Sequence, residues 1–289
     1  MIMTTYADKT YDEERALYGI QDAVIESCRF AGPADGESAL KETGGLHIRS
    51  CNFQLRYPLW HTSNTTLENC TMTETCRAAL WYGKNVVIKN SDLGGIKVVR
   101  ECDNTKIVHT SINSTEFGWF CRGLTMQSCD LISEYPFLKT SDITLDHFKM
   151  KGKYSFQYVE NAEIHNSVLD TKDAFWHGKN ITVYDSVVKG EYLGWYSDNL
   201  KFVRCQIIGT QPLCYAKNLI LQDCEMIDCD LAFERSDVQA AIRGSITSVK
   251  NPISGQIIAD KIDELIMDES ASDSTCTVIS RAESVRQCG

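Results

Sequence analysis

Carboxylates, lysines and aromatic rings recur together in short segments of this 289-residue chain. They appear in Tyr135-Pro-Phe-Leu-Lys139, Tyr154-Ser-Phe-Gln-Tyr158, Asp173-Ala-Phe-Trp-His177 and Tyr192-Leu-Gly-Trp-Tyr196. A carboxylic acid with a second carboxylate roughly 5 to 10 Å away is what glycoside hydrolysis needs. A lysine beside a uronate would instead assist proton abstraction in a lyase or epimerase. The catalytic candidates are therefore Glu134, Lys153, Lys172, Asp173 and Glu191. Flat rings suit sugar faces, which makes Tyr135, Tyr154, Phe156, Tyr158, Phe175, His177, Tyr192 and Tyr196 the substrate-binding candidates. The alternative is structural: rings stack to stiffen the chain, and the charges form a solvated salt-bridge row with Glu134 beside Lys153 and Lys172 beside Glu191. No metal or cofactor motif is present, and His61 and His177, each with tyrosine neighbours, read as structural hydrogen-bonded side chains.

These segments sit inside a repeat. One buried aliphatic position recurs as Ile25, Ile48, Leu67, Ile88, Ile107, Met126, Leu145, Ile164, Val183, Phe202 and Leu221, with Ala240 as a weak continuation. From Leu145 onward each step is 19 residues, the mark of a solenoid whose units cannot bury their cores alone. Three residues before each anchor stands Asn, Asp or Gly, from Asp22 and Gly45 through Asn64, Asn85 and Asn104 to Asn218 and Asp237. These types tolerate a left-handed backbone, so each coil turns there and the turns stack into an asparagine ladder. Strand alternation follows, as in Leu124-Thr125-Met126-Gln127. Three residues past the anchor, six cysteines share one column: Cys28, Cys51, Cys70, Cys129, Cys205 and Cys224. They read as small buried hydrophobes. Disulfides between neighbouring coils and a soft-metal site are the competing readings.

The fold expected is all-β, a single-stranded right-handed parallel β-helix of about twelve coils at ~4.8 Å each. Residues 1–21 form an N-terminal cap, with Thr10-Tyr11-Asp12-Glu13 opening a short helix as a capping box. Residues 22–268 form the β-helix, and 269–289 a mobile tail. In the third strand of each coil the expectation is that Trp60, Trp81, Trp119, Trp176 and Trp195 point inward. Tyr154, Phe156, Tyr158, Asp173, Phe175, His177, Tyr192 and Tyr196 then point outward, with Gly118 and Gly194 opening pits between rings. Arg100 and Gln157 fit that register poorly, and the opposite register exposes the tryptophans.

Composition narrows the partners. A net charge of −10 opposes binding to nucleic acid or an anionic membrane surface. No apolar run is long enough to span a bilayer, Met1 to Lys9 lacks the pattern of a secretory leader, and thirteen cysteines is an odd count. A cytoplasmic protein with reduced thiols is expected. An oligosaccharide or uronate is the expected ligand, while oligomeric state has no signature in the sequence.

Several segments resemble a bacterial family of unknown function: Gly36-Glu-Ser38 with Leu40-Lys-Glu42, Arg56-Tyr-Pro-Leu-Trp60, Gly152-Lys-Tyr-Ser-Phe-Gln-Tyr158, Thr171-Lys-Asp-Ala-Phe-Trp176, Gly190-Glu-Tyr192 and Gly209-Thr-Gln-Pro-Leu-Cys-Tyr215. The resemblance covers about residues 10 to 268, with Ala39 standing where a proline is expected. It implies a pectin-lyase-like β-helix and carries over no catalytic residues. The leading expectation is carbohydrate processing, hydrolase- or lyase-like, near residues 134 to 196. The rival is a non-catalytic binding or scaffold protein using the same face.

Overall fold

The anchor residues pair directly with one another. In the computed structural model Ile25 lies opposite Ile48, Ile48 opposite Leu67, Leu67 opposite Ile88, Ile88 opposite Ile107, and Met126 between Ile107 and Leu145. All pairings are parallel, and these side chains are fully buried. Parallel pairing and burial continue from Ile164 through Val183, Phe202 and Leu221 to Ala240. Residues 3–33, 37–282 and 286–288 are described; Gly36 of the resembling segments, and 283–285 and 289 of the expected tail, lie outside them. The chain divides into two compact units, Met1–Lys149 and Met150–Gly289. Each is a parallel β-solenoid, and the described residues make about 14 turns rather than twelve. The anchor column extends past its expected ends, because Tyr6 pairs with Ile25, Ile257 with Ala240, and Val278 with Ile257.

The expected turn positions adopt the left-handed conformation. Asn64, Asn85 and Asn104 in the N-terminal unit, and Asn161, Asn180 and Asn199 in the C-terminal unit, have φ between 50° and 61°. Their side chains hydrogen-bond turn to turn, with Asn104 Nδ2 donating to Asn85 Oδ1 at 2.8 Å and Asn199 Nδ2 to Asn180 Oδ1 at 2.9 Å. A second left-handed column, unmarked in the sequence reading, follows each first strand: Asn69, Asn90 and His109 in one unit, Asn166, Asp185 and Arg204 in the other.

The cysteine column is a hydrogen-bonding device as well as a buried one. The Cys28 amide donates to Cys51 Sγ at 3.4 Å, the Cys70 amide to Ser91 Oγ at 3.1 Å and the Ser167 amide to Ser186 Oγ at 2.9 Å. Each side chain also donates to the carbonyl two residues back, as Cys51 does to Arg49 and Ser91 to Lys89. Cysteine, serine and threonine interchange here because the site needs a small group that accepts from one amide and donates to one carbonyl. The twelve cysteines described in full are all free thiols.

Three expectations are corrected. The N-terminal cap is not helical: Thr10–Tyr11 is a strand paired with Arg29–Phe30. Beyond it, the Arg15, Leu17 and Gly19 amides donate to the Glu37, Ala39 and Lys41 carbonyls of the next turn. The left-handed Arg15 (φ 54°) interrupts any helix there. In place of a tail, Glu269–Ala271 is a 3-10 turn, Thr277–Ser280 pairs with Gln256–Ala259, and Arg286–Cys288 pairs with Glu264–Ile266. The third segment is a short strand at Leu80–Trp81 and Val99–Arg100, which pair with each other, but in the C-terminal unit it is not an extended strand. Tyr154, Phe156 and Tyr158 all have positive φ, as do Asp173, Phe175 and His177, and Tyr192, Gly194 and Tyr196. Two-residue alternation therefore misassigns the faces of this segment.

Two stability tests follow from this geometry. Asn180→Ala loses two ladder bonds and the side-chain amide that eases the left-handed backbone, which should cost about 1–3 kcal/mol in urea unfolding; Asn180→Gly should cost less. Cys51→Ser should be nearly neutral, whereas Cys51→Val leaves the buried Cys28 amide unpaired and should lose about 1–3 kcal/mol. Equal losses for serine and valine would remove the hydrogen-bonding role.

Candidate functional site

Within the C-terminal unit the turn segment builds a polar and aromatic side face. Its last position holds Tyr158, His177, Tyr196 and Tyr215, whose rings stack at 4.9, 5.2 and 5.0 Å between centroids, with planes within 17°. The first three are exposed. Rings stacked this way cover one another's faces and present edges, phenol oxygens and imidazole nitrogens to solvent. They offer hydrogen bonds more than flat platforms. Tyr215 is not among the residues expected at the site, although its 19-residue step from Tyr196 marks it.

The tryptophans are half-buried beside this column, not inside the solenoid. Trp176 and Trp195 stack at 5.6 Å, and their indole N–H groups donate to the Tyr192 and Gln211 carbonyls at 2.8 Å each. Phe156 and Phe175, expected on the binding face, are fully buried and stacked on each other at 5.0 Å. Gly194 opens no pit, since a Cβ there would come within 2.7 Å of Leu213 Cδ2. The inward register is thus overturned at Trp176, Trp195, Phe156 and Phe175, and the handedness of the turns is the reason.

The charged candidates divide by role. Lys172 Nζ and Glu191 Oε2 form an ion pair at 2.7 Å, both side chains nearly half exposed, and the glutamate holds the lysine pKa above its ordinary value. Lys172 Nζ also lies 5.3 Å from the Tyr192 ring centre, and Lys153 Nζ 5.5 Å from that of Tyr154. Asp173 is different. Its amide donates to the Glu191 carbonyl just as the Tyr154 amide donates to Lys172 and the Tyr192 amide to Thr210, so it takes the position that tyrosines hold in the two adjacent turns. Only 7% of it is exposed. Burial pushes its carboxyl above the usual carboxylate range; Lys172 draws it back and Glu191 raises it further.

Glu134 and Tyr135 belong to the N-terminal unit, where both are exposed and the Tyr135 carbonyl accepts the Trp119 indole N–H. That unit carries its own half-buried column, with Trp60 and Trp81 stacked at 5.5 Å. Lys41 lies over Trp60, and Arg100 lies 5.1 Å from Trp81 and 5.6 Å from Trp119. Arg100, awkward in the inward register, is held between two indoles and paired with Glu101 at 3.1 Å. Gly118 likewise is packed against Phe137 rather than opening a pit.

Fold and side face together define a parallel β-solenoid with a polar, aromatic flank. The chain belongs to the family described as "Protein of unknown function (DUF3737)", which matches residues 4–280. Among solved structures it is similar to the tailspike protein gp49 from Acinetobacter baumannii bacteriophage Fri1, a capsular polysaccharide depolymerase, with 8% identity and a TM-score of 0.39 over 79% of this chain. The match spans 57% of that tailspike, so the chain covers little more than half its length. It is also similar to the A-module of the Azotobacter vinelandii mannuronan C-5 epimerase AlgE6, at 11% identity and a TM-score of 0.39, covering 94% of this chain and 89% of that one. A double mutant of the periplasmic alginate epimerase AlgG matches at 9% identity and a TM-score of 0.34, covering 94% and 79%. Among curated proteins nothing matches this sequence.

Asp173 generates a pH test. Its folded carboxyl holds a proton more tightly than the unfolded one, so stability falls as pH rises from the unfolded value of about 3.9 through the raised folded value, and stays lower above it. Asp173→Asn should therefore raise the melting temperature relative to wild type at pH 7, with the gap closing below about pH 4. A gap of equal size at both pH values would detach the effect from this carboxyl.

Proposed function

We propose that this chain binds carbohydrate on the turn-segment face of its C-terminal unit and performs acid–base chemistry on it with Asp173. The observation that carries this reading is the Asp173 carboxyl. It is buried at a position held by Tyr154 and Tyr192 in the adjacent turns, its proton affinity is raised by desolvation, and it is within electrostatic reach of a second carboxylate. A desolvated carboxyl is costlier to keep ionised, and acids whose proton affinity is raised beside a charged partner concentrate at reactive sites. In its protonated form Asp173 would donate to a glycosidic oxygen. Glu191, once released from Lys172 by the ligand, would act as the carboxylate partner. The phenols of Tyr158, Tyr196 and Tyr215 and the imidazole of His177 supply donors and acceptors for sugar hydroxyls along the same face. The right-handed winding and the cytoplasmic location read from the sequence belong to the same proposal. Stacked free thiols such as Cys51 and Cys70 suit a reducing compartment.

One observation favours a second, non-catalytic reading. The Lys172–Glu191 pair is closed at 2.7 Å, as a charge-neutral docking face would be. The two readings separate when wild type and Asp173→Asn are incubated with neutral and uronate oligosaccharides, scoring bound ligand and newly formed chain ends. The expected outcome is turnover by wild type and a loss of about 100-fold or more in Asp173→Asn with binding retained. Binding without turnover in either form would replace the enzyme with the docking protein.

A further inference from the structure

The N-terminal unit carries a groove of about 630 Å³ that plays no part in the reading above. It runs along the second left-handed column, where Asn90 and His109 turn the chain with φ of 48° and 49°. The backbone there is consumed by the solenoid, since the Asn90 amide donates to the Val108 carbonyl and the His109 amide to that of Gln127. Recognition is left to side chains. Asp92, Ser111 and Asp130 lie opposite one another on successive strands along the same groove.

We propose that this groove binds a neutral oligosaccharide, extended along the direction in which the turns stack. Elsewhere in the unit His147 contacts Asp146 at 2.9 Å and Arg122 pairs with Asp103 at 3.3 Å. Asp92, His109 and Asp130 have no ion pair or side-chain hydrogen bond among the described residues. The groove therefore holds unspent acceptors in its carboxylates, amide groups in Asn69 and Asn90, and the exposed Ser111 hydroxyl, which can both donate and accept, a set that matches sugar hydroxyls. No lysine or arginine lines it, so a uronate or phosphate would meet two carboxylates on a protein of net charge −10. A single bound cation does not fit either. Asp92 and Asp130 are two turns apart, about 10 Å at ~4.8 Å per turn, and no three His, Cys, Asp or Glu side chains among the described residues converge as metal ligands. The volume is in the range of small-molecule sites, and the repeat of like groups from turn to turn suits a polymer of like units.

The test is photo-crosslinking of the full chain with diazirine-bearing neutral hexasaccharides, mapped by peptide mass spectrometry, with an oligogalacturonate of the same length as comparator. Crosslinks within residues 69–130 are expected from a neutral glycan. They should fall at least tenfold in Ser111→Trp, which fills the groove from an exposed position, and in Asp92→Ala combined with Asp130→Ala. Circular dichroism and melting temperature show whether either variant is folded, and one folded variant suffices. Crosslinks absent from 69–130, unchanged in a folded variant, or formed only by the oligogalacturonate would overturn the proposal. Crosslinks within 154–215 report separately on the C-terminal face, so failure of either site leaves the other readable.

Discussion

The backbone hydrogen bond from one turn to the next is the constraint on which each unit depends. It recurs with a step of about 19 residues, and it forms only if every turn places its strands above those of the turn before. Once that register holds, like positions come within ~4.8 Å of each other, and each column of the sequence becomes a physical stack. Aliphatics stack into the core, asparagine amides bond along the ladder, and rings lie on rings. A single turn could bury none of these faces by itself.

Sharp corners are the cost of so short a coil. Each needs a residue at positive φ, and for non-glycine residues that conformation is worth about 1–2 kcal/mol of strain. The solenoid meets the cost in two ways. At the ladder corner it uses Asn, whose side chain tolerates the conformation and bonds to its neighbours in the stack. In the third segment it accepts bulky residues such as Phe156, Phe175 and Tyr196 and offsets them with amides donated to adjacent turns and with ring stacking. The small polar column of Cys51, Ser91 and Ser186 does related work, pairing amides that the ladder leaves over at a bend.

Stacking also shapes what the surfaces can recognise. Tyr158, His177 and Tyr196 bury their ring faces in each other, so the aromatic flank presents edges and polar tips. Asp173 stands between Tyr154 and Tyr192 with a carboxyl that the neighbouring turns shield from water. The groove past Asn90 carries a single ring, His109, and keeps unspent polar groups. Two faces built by one repeat thus differ in chemistry because one column favours side chains that satisfy each other and the other does not.

The period, the anchor pairing and the ladder corners were legible in the sequence by itself, because a parallel stack demands one aliphatic and one Asn, Asp or Gly at the same place in every turn. The pairing of Lys172 with Glu191 was legible for the same reason. The third segment was not. Phe, Tyr and Trp carry no sequence sign of positive φ, so alternation put Phe156 and Phe175 outside and the tryptophans inside. Only the turn-to-turn hydrogen bonds, which in the C-terminal unit hold left-handed residues at alternate positions of this segment, decided that the phenylalanines are core and that Asp173 is withdrawn from water, and only the stack placed Arg100 between two indoles. Helical expectations at Thr10–Glu13 failed on the same ground: a local capping signal is worth about 1 kcal/mol, less than joining the stack.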